Sequence, residues 1–166
     1  DGRIGGARDL VITRIRSNFA ELDSESTSHL DEGLPHTQDV TSGGTALQNR
    51  VRFLTDHAGE GDVHAERPKL LPIGGDQFIV LYERWEGDES GAYAFVGTHA
   101  LLIDAAGEVI VGDTELGDIH LPRGDDAFAL GTGAAWVTGD QEQRSLTVHH
   151  VTRQADALVL DSNLVP

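Results

Sequence analysis

The residues most able to do chemistry in this sequence are histidines and carboxylates that crowd one short stretch. Asp56, His57, Asp62 and His64 lie close together, with Glu60 and Glu66 beside them. Carboxylates suit Ca²⁺ and imidazoles suit Zn²⁺ or Cu²⁺, so this stretch is the best local metal candidate. The competing reading is a solvated acidic hairpin turn. Acidic turns at 86–89 and 112–118 also offer oxygen ligands. They lack the fixed alternating spacing of a known calcium loop. Calcium is the cofactor the acidic turns raise, beside Zn²⁺ or Cu²⁺ at the histidines. His149 and His150 are adjacent on an expected strand, face opposite sides, and cannot both bind one metal from it.

A second constellation pairs each tryptophan with a Gly-Asp: Trp85 with Asp88, and Trp136 with Asp140. An aromatic face beside a carboxylate is what a sugar ring needs. The structural alternative is that each tryptophan ends a strand and packs between neighbouring units. Established catalytic motifs are absent: there is no G-x-S-x-G and no H-E-x-x-H. The absence of cysteine removes thiol nucleophiles, zinc-thiolate sites and disulfides. Gly5-Gly6 and Gly74-Gly75 open no phosphate loop, since no Lys-Ser or Lys-Thr follows. No residue is assigned a catalytic role.

The elements that must position these side chains read as strands. Runs such as Phe78 to Tyr82 and Ala100 to Ile103 are short, apolar and bounded by Gly and Asp. No window of helical length carries a capped apolar period; residues 18–22 allow one turn at most. The runs are also too short to span a bilayer. A formal net charge of −16 argues against nucleic acid and anionic membranes as partners. Lys69 is the only lysine.

The chain repeats itself. The pattern L-P-x-G-x-D-x-F runs from Leu71 to Phe78 and again, without a gap, from Leu121 to Phe128. In each copy a Trp with Gly-Asp, an apolar strand and a further apolar strand follow in the same order. A weaker first copy starts at Ile4, and its Asp56-x-x-Gly-Glu60 parallels Asp104-x-x-Gly-Glu108. This D-x-x-G-E reads as a turn, with Asp capping and Gly supplying backbone freedom. The units run approximately over 4–70, 71–120 and 121–166. A polar insert at 21–44 reads as a protruding surface loop that mediates a contact through Leu30 and Leu34, the alternative being a floppy loop with no contact.

Units of roughly 50 residues built of several strands imply an all-β propeller, trefoil or solenoid. The residues from Gly75 to Tyr82 with Trp85, then from Ala100 to Ile110, resemble blades of a bacterial β-propeller. That resemblance implies an inner strand opening with G-D-x-F and an outer hairpin around D-x-x-G. Propellers have four to eight blades, so about three imply closure by another chain or by more of the same polypeptide. A β-trefoil is the alternative, although its Q-x-W motif is missing. The expected function is a non-enzymatic structural and protein-interaction module. The alternatives are a carbohydrate-binding lectin-like domain and a segment of an extracellular glycoside hydrolase or lyase. The expected partners are other protein chains, further blades of its own precursor, or a glycan. A chain without Met or Cys, starting at Asp1, fits a processed product at the cell surface, in the periplasm or outside the cell.

Overall fold

A computed structural model describes residues 8–12, 37–42, 45–57, 60, 62–124 and 126–165, and of 37–42 and 45–51 the backbone alone. All the regular structure described is β. The strands form three open antiparallel sheets. In the first, β3 (Thr45–Phe53) lies between β1 (Val11–Ile12) and β2 (Thr37–Ser42). The second is a meander of β4 (Val63–Gly74), β5 (Gln77–Gly87), β6 (Tyr93–Asp104) and β7 (Val109–Gly117). The third is another meander, of β8 (Phe128–Leu130), β9 (Gly133–Asp140), β10 (Ser145–Gln154) and β11 (Ala157–Val165).

The hairpins follow from turn chemistry. Gly74, Gly75 and Asp76 all take positive φ between β4 and β5, where only Gly, Asn and Asp are readily accommodated. Between β6 and β7 the Asp104 carboxylate accepts the amides of Ala106 and Glu108, both at 2.8 Å, and Gly107 takes φ 84°. This is the D-x-x-G turn the sequence predicts.

The middle sheet is covered on both faces. Leu71, Ile73, Ile79, Leu81, Ala100 and Leu102 point toward the third sheet and meet Ala134, Trp136, Val151 and Leu158. The alternate residues Val80, Tyr82, Leu101 and Ile103 point the other way, onto Leu10, with Ile12 and Leu54 beside them. Successive side chains of a strand point to opposite faces, so a strand covered on both sides must be apolar at every position. This explains the unbroken runs 79–82 and 100–103. Each fully buried Leu, Ile or Val contributes roughly 1.5–3 kcal/mol of transfer free energy.

Three sequence expectations meet the structure differently. The expected unit boundary at 70/71 falls inside β4, and the sheet begins at Val63. The two L-P-x-G-x-D-x-F copies occupy different places. Leu71 lies in β4 and Phe78 in β5, whereas Leu121 precedes β8 and Phe128 opens it. The insert at 21–44 is not a loop throughout: Thr37–Ser42 pair with β3 from Thr37↔Arg52 to Ser42↔Thr45. Its Thr and Val residues favour a pleated backbone, and the Gly43-Gly44 that follows is a turn signal. Leu30, Leu34 and the expected helical turn at 18–22 lie outside the described residues.

Candidate functional site

The polar residues gather where the sheets meet. At the centre is Glu83, whose side chain is fully buried on the β5 face that points toward the third sheet. A buried carboxylate is costly unless paired and hydrogen-bonded. Here Arg67 donates at 2.8 Å, Trp85 Nε1 at 2.9 Å and the Leu121 amide at 2.8 Å, and His120 Nδ1 lies 3.2 Å away. Arg67 also sits 5.5 Å over the Trp85 ring. Arg67 takes φ 53° where the β4–β5 register shifts, and that bulge turns its guanidinium inward. Glu83 thereby ties three stretches together: β4, β5 and the connector from β7 to β8.

Two tyrosine–aspartate–histidine groups flank this hub. On the face toward the first sheet, Tyr82 donates to Asp113 at 2.8 Å and His99 Nδ1 approaches the same carboxylate at 3.0 Å. Burial pushes the Asp113 carboxyl up. The hydrogen bonds from His99 and Tyr82, with the nearby His99 and His57, outweigh burial and hold it below the ordinary carboxylate range. Burial, then the Asp113 charge, hold the Tyr82 phenol far above its ordinary range. At the sheet's other end, Tyr93 donates to Asp62 and stacks on His64, with ring centroids 4.2 Å apart. His64 Nε2 lies 3.1 Å from Asp62 Oδ1.

The third sheet has its own buried imidazole. His149 stacks on Trp136 at 5.1 Å, and hydroxyls engage both its nitrogens: Thr138 at 2.8 Å and Ser162 at 2.9 Å. Burial lowers its pKa below the ordinary imidazole range, so it is neutral at neutral pH. Adjacent His150 faces the other side, as strand alternation requires, with Nε2 near the Leu130 carbonyl.

These positions can be set against the residues singled out from sequence. Trp136 is fully buried between the sheets, while Trp85 packs against Phe95 and His120 beside Glu83. Both tryptophans lie on the second strand of their meanders and point into the same inter-sheet space, from opposite sides. In cross-strand arrangement the counterpart of Trp136–His149 is Tyr82–His99. Each is a directly opposed pair with its rings in contact. Asp88 accepts from the Ser90 amide and hydroxyl and from the Ala92 amide, so its carboxylate shapes its own turn. Asp140 does the same with the amides of Glu142 and Gln143. Of the expected metal residues, Asp62 and His64 are adjacent. His57 is instead buried at 3.6 Å from Glu60, and Asp56 is exposed. Among the described residues no three His, Asp or Glu side chains converge as a metal site requires.

Sequence reasoning gave no role to Glu83, Tyr82 or His99, and offered Asp113 only as an oxygen ligand of the acidic turn at 112–118. One signal was available for two of them: Tyr82 and His99 sit within or against the unbroken apolar runs, where a polar group must find a partner. His99 Nε2 is buried with no partner, so the Asp113–His99 pair orients an imidazole but activates no nucleophile among the described residues.

Two cavities adjoin these groups. One, of about 630 Å³, is lined chiefly by Leu10, Ile12, Leu54, Ala65 and Val80. The other, of about 600 Å³, lies between β9 and the connector, with Ile119, His120, Pro122, Thr138 and His149 in its walls. In comparisons with family models, curated proteins and solved structures, the chain matches none.

Proposed function

We propose that this chain is a non-enzymatic interaction module whose meanders stack face to face in the manner of propeller blades, and that it completes its fold against a further sheet. One observation carries the reading: the outer face of the third sheet exposes several large apolar residues, with the polar His150, Asp161 and Asn163 among them. By strand alternation this face holds Phe128, Leu130, Val137, Leu146 and Val165. Leu146 is 52% exposed, Val165 46% and Phe128 44%. The corresponding face of the middle sheet is apolar and is covered, by the third sheet. A contiguous exposed apolar patch marks an interaction surface. The covering sheet would come from another chain or from more of the same polypeptide.

Light scattering over a concentration series tests this. The chain should show mass above one chain at high concentration. Leu146→Asp with Val137→Asp should return it to a single chain with unchanged β-type circular dichroism. A well-folded single chain at every concentration for the unsubstituted protein would sink the reading.

A further inference from the structure

The third sheet has a second uncovered feature, independent of its outer face. Strand β8 pairs with β9 over three residues only, Phe128↔Ala135 to Leu130↔Gly133. Beyond Ala135, β9 continues to Asp140 with β10 on one side. On its other side, among the described residues, no backbone hydrogen bond reaches 136–139.

The reason lies in the middle sheet. The connector that would extend β8 is held away from β9 by two side chains. Thr98 donates to the Ile119 carbonyl, and Glu83 accepts the Leu121 amide at 2.8 Å. Leu121 and Ala127 are then buried in the inter-sheet core. The result is a strand edge facing the cavity of about 600 Å³, with the connector as its far wall. β11 is also an edge strand, but that cavity's walls include no β11 residue.

We propose that the 136–139 edge of β9 binds an extended peptide segment by adding it to the sheet as an antiparallel strand that continues the line of β8. Main-chain hydrogen bonds supply the affinity in such strand addition, and alternate side-chain positions supply the selectivity. The residue opposite Val137 points to the outer face, beside Val148 and Phe128, and is apolar. Its neighbours point into the cavity toward Thr138 and His149 and are small and polar. The net charge of −16 draws basic flanks toward the site. The occupant is thus a short segment of alternating apolar and small polar residues with lysine or arginine at its ends.

The probe is a fluorescent synthetic peptide of alternating threonine and valine flanked by lysines, about eight residues long to match a typical strand. Binding is read by anisotropy, and amide exchange is read at 136–139. Two versions of the peptide carry backbone N-methyl groups on every second residue, in the two possible phases. The expected result is slowed exchange at 136–139 on binding, with about tenfold weaker binding for one phase only. Equal binding of both phases overturns strand addition, since only one phase removes donors that face β9.

Gly124→Trp is a second arm. Gly124 lines the cavity, and a Cβ there meets nothing within 4 Å, so the backbone accepts a side chain at the cavity wall. It should weaken binding about tenfold, and an unchanged affinity overturns the proposal. If 136–139 are already protected in an oligomer of the chain and the peptide does not compete, the occupant is a second copy and the proposal fails. Leu146→Asp should leave peptide binding intact, which separates this edge from the outer-face assembly proposed above.

Discussion

The middle and third sheets are both four-stranded antiparallel meanders, yet they are built for different surroundings. In β5 and β6 every residue of 79–82 and 100–103 is buried, because a neighbour lies on each side. In β10 the buried His149 and Val151 alternate with half-buried residues, and in β9 a buried run ends at Trp136, so that the next residue, Val137, is 39% exposed. The same contrast governs the polar groups. Glu83 in the middle sheet has three hydrogen-bond donors and a nearby imidazole. The third sheet answers burial with a neutral imidazole between two hydroxyls. A sheet with neighbours on both faces can hold a charged hub because partners arrive from several elements. A sheet with one covered face draws its partners from its own strands.

The strongest way to break this comparison is at adjacent residues of β9. Trp136→Ala should cost about 3–5 kcal/mol in urea unfolding, the range for removing a fully buried aromatic. Val137→Ala, one residue along on the open face, should cost under about 1 kcal/mol. Similar losses at both would mean that the outer face is covered after all.

Glu83→Gln comes next, at about 1–3 kcal/mol. The amide keeps the shape but presents an NH₂ to Arg67 or Trp85 and loses the charge opposite a guanidinium. A local consequence should accompany the global one: faster amide exchange at Leu121, since the connector loses its anchor.

The two sheets should also separate in pH. The folded His149 pKa is depressed by burial, so the unfolded chain binds more protons between the depressed and ordinary values. Its stabilising contribution is complete above the ordinary imidazole range and is lost as pH falls toward the depressed value. Asp113 is also depressed, but from the carboxylate value rather than the imidazole value, so its contribution is lost only in stronger acid. Denaturation curves taken across pH should show both limbs. His149→Gln should flatten the upper limb, and Asp113→Asn the lower one. A single limb that neither substitution alters would show that other groups set the acid response.

The smallest effect is expected at Leu146, where Leu146→Thr on the outer face should shift the stability of the isolated chain by no more than about 0.5 kcal/mol. Its effect on self-association should exceed its effect on unfolding, and the reverse order would place Leu146 in the folded core.

Most strands and turns of the middle and third sheets were legible in the sequence because their causes are local, whereas β2 was read as loop. Alternation or continuity of apolar residues, the Gly-Gly-Asp between β4 and β5, and Asp104-x-x-Gly107 act within a few residues of chain. The sequence also placed Trp85 and Trp136 on corresponding strands. It did not show that they face the same space from opposite sheets, because which face a strand buries depends on what packs against it. The hub around Glu83 was hidden for the same reason. Its partners Arg67, on β4, and His120-Leu121, on the connector, come from two stretches distant from Glu83, and nothing in their spacing marks them as its neighbours. The open edge of β9 is further still from sequence. It exists because a carboxylate on β5 and a hydroxyl on β6 hold the connector that would otherwise extend β8. Local backbone preference wrote the strands, and long-range pairing of buried polar groups decided which edges and faces were left open.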